Sequence, residues 1–339
     1  MNSSQRLNVF RNLSMFGAVL ALCVVVLGAW VRLNAAGLGC PDWPGCYGHI
    51  SAAGAEQHLA TAQQLYPDRK FEYAKAVKEM LHRYVASTLG LIIIALACIA
   101  VWNRRDPRQP LILPLLLVPL VILQGLLGMW TVTKLLVPLV VVLHLLGGLT
   151  TMSLLAWLAM RTRNSRVPIR AGSRLRTWAL AGLMVLVVQI FLGGWTSSNY
   201  AAVSCPDFPT CQNSFWPHMD VKDAFVLWRG LGIDYQGGVL DHPARVAIHF
   251  VHRLGAMVTA LVLGMVVVLA WRSGIRAVRM AAITVGIVLT GQLLLGPLMV
   301  IKGFPLALAT AHNAVAALLL LSVVRLNHVL WSRAQDTGM

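Results

Sequence analysis

The chain has 339 residues, 58% hydrophobic and only 12% charged, with 28 Lys+Arg against 12 Asp+Glu for a formal charge of +16. Soluble domains are near half apolar and a quarter charged, so this composition excludes an ordinary soluble enzyme, a disordered chain and a collagen-like repeat. The positive charge alone would suit a nucleic-acid binder, but its placement along the chain argues otherwise.

Eight apolar runs follow one another, near 14–31, 81–102, 111–130, 137–160, 178–195, 246–271, 280–300 and 306–324. At ~1.5 Å per residue each can cross ~30 Å of hydrocarbon, and only helices suit such runs because lipid offers no partner to open backbone. The expected fold is an all-α polytopic membrane protein. One set of connections is basic: Arg6 and Arg11; Arg104, Arg105 and Arg108; Arg161, Arg163, Arg166, Arg170, Arg174 and Arg176; Arg272, Arg276 and Arg279; Arg325 and Arg333. Only Asp106 and Asp336 oppose them. Short Arg-rich loops stay in the cytoplasm, so both termini are expected inside and the long loops 32–80 and 196–245 outside. The basic excess is thus a topology signal, and no nucleic-acid partner is expected. The first run has features of a signal peptide, with Ala35-Ala36 after it, but an internal copy of its end favours an uncleaved helix. Within the outer loops, Ala55–Leu65 and Ala224–Leu231 read as short amphipathic helices. Cys23 and Cys98, inside spans, read as small buried apolar residues.

The internal copy is explicit. Trp30, Asn34, Cys40 and Cys46 align with Trp195, Asn199, Cys205 and Cys211 at an offset of 165. His82-Arg83 matches His252-Arg253 at 170, and Gln124, Gly128, Lys134 and His144 match Gln292, Gly296, Lys302 and His312 at 168. Ordered anchors at a nearly constant offset signal a duplication. Each half has four spans, an even number, so the repeats are expected to be parallel, with a pseudo-two-fold along the membrane normal. The expected organisation is a four-helix bundle over 1–160, a cytoplasmic linker over 161–176 and a second bundle over 177–339. Gly147-Gly148 and Gly193-Gly194 would allow close helix contact.

Four of the ten histidines, His82, His144, His252 and His312, lie in or at the spans as two repeat-related pairs. The runs place His82 and His252 in the first turns of their spans and His144 and His312 about 10 Å from the outer end. Ionisable groups in spans are expensive and default to function, although a lone histidine can simply bond a carbonyl within a bundle. Zinc needs three or four protein ligands. Haem iron accepts two axial imidazoles, and apolar helices suit a porphyrin. Arg83 and Arg253, each directly after a ligand candidate, can pair with propionates or snorkel to the interface.

Cys40/Cys46 and Cys205/Cys211 each close a seven-residue segment on the oxidising side, where disulfides are expected. Each is either a structural clip or a redox-active pair beside a haem. The halves differ where Glu79-Met-Leu-His82 aligns with His249-Phe-Val-His252. Glu79 and His82 share a helix face. A carboxylate there can move protons or face developing positive charge; an exposed juxtamembrane glutamate is the plainer alternative.

Taken together, Cys40-Pro-Asp-Trp-Pro-Gly-Cys46, Glu79-x-x-His82-Arg83, His144, Cys205/Cys211, His252-Arg253 and His312, in this order within eight spans, resemble the heme A synthases over nearly the whole chain. The resemblance implies oxidation of the C8 methyl of haem O to the formyl of haem A, for terminal oxidases. It implies a substrate haem O between His82 and His144 and a haem b cofactor between His252 and His312. It further implies catalytic importance for Glu79, Cys40 and Cys46, and a structural second cysteine pair. A bacterial-type plasma membrane, a haem O synthase partner and an electron donor or acceptor follow at the same level; a homo-oligomer is compatible. A bis-histidine dihaem cytochrome that only transfers electrons is the alternative, but it needs no Glu79/His249 asymmetry. A transporter is disfavoured by the lack of midplane acidic residues.

Overall fold

A computed structural model describes residues 3–67, 69–162 and 172–331. Most of the 161–176 linker, with Arg163, Arg166 and Arg170, lies outside the described residues, as do Arg333 and Asp336. No β-strand occurs among the described residues. In chain order the α-helices are α1 (Ser3–Leu33), α2 (Ala52–Gln57), α3 (Leu59–Leu65), α4 (Tyr73–Trp102), α5 (Ile112–Thr133), α6 (Pro138–Arg161), α7 (Ser173–Ser198), α8 (Val221–Ala224), α9 (His242–Arg272), α10 (Arg276–Ile301) and α11 (Leu306–Leu330). Eight of them, all but α2, α3 and α8, are long and apolar enough to cross a membrane.

The helices outrun the apolar segments. α4 starts before residue 81 and α9 before 246, because their first turns carry polar residues such as Lys75, Lys78 and Arg245. His82 and His252 therefore sit in the third turn of their helices, not the first.

α1 packs on α4 and α6, and α5 packs on the same two helices. α7 packs on α9 and α11, with α10 beside both. The groups meet where α11 lies against α1 and α6, and where α6 lies against α7. Leu96, Leu117, Leu155, Leu263, Val285 and Leu320 belong to one continuous buried core. Leu91, Ile122, Leu261 and Ile287 point outward, as lipid-facing positions should. Cys23 and Cys98 are also exposed on that outer surface, contrary to the buried placement expected for small apolar residues.

The C-terminal ends of α1, α5, α7 and α10 are closed by the same local chemistry. After α1, Ala35 takes φ +50° and the Ala36 N–H donates to the Val31 carbonyl; after α7, Tyr200 takes φ +55° and Ala201 donates to Thr196. After α5 and α10, Leu136 donates to Thr131 and Phe304 to Met299. Such left-handed closures satisfy last-turn carbonyls and turn the chain sharply off the helix axis. The loop between α1 and α4 holds α2 and α3, which His58 separates, and Ser51 caps α2 by accepting the Gly54 N–H at 3.0 Å. The expected helix over Ala224–Leu231 is absent. α8 ends at Ala224, and Gly230 and Gly232 adopt φ values of +110° and +81° that a right-handed helix cannot accommodate.

Candidate functional site

α4 and α6 bring His82 and His144 to the wall of one cavity of about 630 Å³. Each imidazole lies against a glycine. A Cβ on Gly28 would come 2.9 Å from His82 Cε1, and one on Gly128 would come 3.4 Å from His144 Cε1. At Gly28 any side chain would claim the space of the ring, and at Gly128 anything beyond a methyl group would press on it, so these glycines help two buried imidazoles stand between packed helices. Nδ1 of each histidine is buried without a hydrogen-bond partner. Glu79 and Arg83 share the cavity wall.

Glu79 is 4% exposed and lies directly beneath the first cysteine loop. Its Oε2 accepts the Cys40 N–H at 2.9 Å, and its Oε1 accepts a short hydrogen bond from the Arg83 guanidinium. Arg83 also donates to the carbonyls of Asp42 at 2.9 Å and Pro44 at 3.2 Å, and to that of Gly45. The arginine that spacing offers to a propionate is therefore occupied with Glu79 and the loop. The loop is closed by the Cys40–Cys46 disulfide and organised by Asp42, whose carboxylate accepts the N–H groups of Tyr47 and Gly48 at 2.6 and 2.9 Å.

In the second set of helices, Gly193 backs His252 and Gly296 backs His312, with would-be Cβ contacts of 3.1 and 3.7 Å. Two glutamines add partners here: Gln189 Nε2 lies 3.1 Å from His252 Nδ1, and Gln292 Nε2 lies 3.2 Å from His312 Nε2. At His252 the partner on Nδ1 fixes ring orientation and leaves Nε2 for a metal, whereas at His312 the glutamine lies on Nε2 and Nδ1 is unpartnered. Arg253 donates to the carbonyls of Thr210 at 2.8 Å and Cys205 at 2.9 Å, and to His249 Nε2 at 3.3 Å. His249, 5% exposed, thus stands where Glu79 stands in the first set. The second loop is closed by Cys205–Cys211. Asp207 accepts the N–H groups of Gln212 and Asn213. With the Thr210 hydroxyl as the largest influence, these donors hold the Asp207 carboxyl below its ordinary value.

The family described as cytochrome oxidase assembly protein (COX15-CtaA) matches residues 11–324. A heme A synthase of Shewanella oneidensis is 44% identical over 324 residues, covering 94% of this chain and 96% of that protein. The chain belongs to the heme A synthase family. More distant family members include heme A synthases of Rhizorhabdus wittichii, 27% identical over 96% of this chain and 95% of its own, and Caulobacter vibrioides, 29% identical over 89% and 90%.

Buried imidazoles with an unpaired ring nitrogen, glycines that clear space for them and an apolar cavity wall suit the haem chemistry of this family. The expected disulfides both form within their own loops. Gly193 was expected only to allow close helix contact, Gly28 was not singled out, and Asp42 and Asp207 were given no role within their motifs, although each pair keeps the 165 offset of the cysteines. Gln189 carried no such signal, because Val24 occupies the corresponding place. Replacing both Cys205 and Cys211 by serine should cost about 2–3 kcal/mol of stability for so short a loop. Thermal unfolding of the purified variant should show this, with haem content unchanged.

Proposed function

We propose that this chain oxidises the C8 methyl of haem O to the formyl of haem A. Substrate haem O occupies the cavity between His82 and His144, and haem b lies between His252 and His312. The observation that carries the reading is the convergence of His82, His144 and Glu79 on one cavity, in a chain of this family. His249 in place of Glu79 supports dividing the roles, with catalysis over 1–160 and a cofactor site over 177–339. When bound, haem b supplies one-electron redox chemistry.

The residues of the chain supply the rest. His82 and His144 position the substrate, and apolar helix walls exclude water from it. Glu79 holds or releases a proton at its carboxylate and opposes positive charge developing at the methyl carbon. The Cys40–Cys46 loop sits on Glu79 through the Cys40 N–H, so it is placed to influence that carboxylate directly. The second loop, over His249, has a structural role. The family's bacterial members support a plasma-membrane location, and the Arg-rich short connections support cytoplasmic termini with the cysteine loops outside. A haem O synthase delivers the substrate, and a separate donor or acceptor exchanges electrons.

The test is expression in a host that makes haem O, followed by haem extraction and chromatography. Haem A or its hydroxylated precursor should appear only when the chain is present. Bound haem with unaltered haem O in the host would instead identify an electron carrier.

A further inference from the structure

Two cations line the cavity, Arg32 and Arg83. Arg83 is occupied with Glu79 and three loop carbonyls. Arg32 is different. Among the described residues it makes no ion pair. Its Nη2 donates to the Ser197 carbonyl at 2.7 Å, its guanidinium carbon lies 4.1 Å from the centre of the Tyr200 ring, and its buried Nε–H has no partner. A part-buried guanidinium with a buried, unpartnered Nε–H and no carboxylate is costly unless something else supplies the negative charge.

The position of Arg32 says what it faces. Gly28, which backs His82, lies four residues earlier on α1, so Arg32 is on the same helix face one turn nearer the outer loops. The repeat alignment makes the contrast sharper. At the offset of 165 that pairs the cysteines, Arg32 corresponds to Ser197, four residues after the glycine that backs His252. The cation is therefore particular to the first half of the repeat. Tyr200 beneath the guanidinium and the Ser197 carbonyl beside it hold the group in place without neutralising it.

We infer that Arg32 anchors a carboxylate of the molecule the first cavity holds, the propionate-bearing edge of the substrate haem. This rests on reading that cavity as a haem site. Arg32 is a positioning residue: it fixes how the porphyrin lies between His82 and His144, and so which ring substituent approaches Glu79.

The experiment is an optical titration of the purified full-length protein in detergent. The probes are iron protoporphyrin IX, with two free propionates, and its dimethyl ester. Wild type should bind the diacid more tightly than the ester. Arg32→Gln should weaken the diacid roughly tenfold or more and leave the ester unchanged, because a charge-assisted hydrogen bond is lost from one probe only. Arg32→Lys should recover part of the difference. Equal affinities of wild type for both probes would overturn the inference, and they decide the matter even if Arg32→Gln does not fold. Equal weakening of both probes in Arg32→Gln would also overturn it, leaving Arg32 as a brace between α1 and α7. His82→Ala keeps the two questions apart. If it binds both probes with the wild-type spectrum and affinity, the haem reading of the cavity itself fails, whatever Arg32 does.

Discussion

Glu79→Gln should lower haem A formation about 100-fold or more while the haem b proposed for the second half is retained. The substitution preserves shape but not chemistry. Both oxygens of Glu79 accept from donors, Cys40 N–H on one side and Arg83 on the other. A glutamine must turn its NH2 toward one of them, so a buried donor meets a donor whichever way the amide lies. The variant also loses the proton site nearest the cavity, and a positioned acid or base contributes about 100- to 10,000-fold to proton-coupled chemistry. Haem extraction measures both consequences in one sample. A Glu79→Gln chain that makes haem A normally, beside a His249→Gln chain that makes none yet keeps its haem b, would place catalysis in the other half.

Gly193→Val and Gly28→Val should separate the two proposed haem sites. A Cβ on Gly193 already meets His252 Cε1 at 3.1 Å, and valine adds two methyl groups. His252 has little room to retreat, since Gln189 Nε2 lies 3.1 Å from its Nδ1 and also bonds its carbonyl at 3.0 Å. The expected result is a folded protein purified without its b-type haem spectrum. Gly28→Val crowds His82 instead, where the Cβ contact would be 2.9 Å. It should keep the resident spectrum and lose product. Overpacking of this kind costs about 1–3 kcal/mol, enough to displace a ring without unfolding eight helices. Unchanged spectra and unchanged product in both variants would mean that the imidazoles bind nothing where they stand.

The spans were legible because hydrocarbon thickness and backbone hydrogen bonding leave a long apolar run one option. Where helices began was not. The first turns of α4 and α9 are polar and lie beyond the apolar runs, so hydropathy alone could not find them. The paired histidines stood out because ionisable groups in spans are rare and these recur at matched offsets. The partners of Arg83 and Arg253 were illegible: nothing in spacing says that each cysteine loop folds back onto the following arginine. Arg32 was hidden for another reason. A single arginine at the end of an apolar helix looks like an interfacial anchor until its environment shows that none of the described acids pairs with it.

Gly194, Ser197 and Asn313 contribute to the wall of the first cavity although they belong to α7 and α11. The four helices that carry His82 and His144 consequently do not enclose their own cavity. Cut free at the 161–176 connection, they would present its inner side to acyl chains, and a chamber would become a groove. The chain can be divided on paper at the repeat boundary, but the vessel in which the first pair of histidines works is made by both parts. Substitutions on the inner faces of α7 and α11 thus belong to the environment of the first site as much as to that of the second.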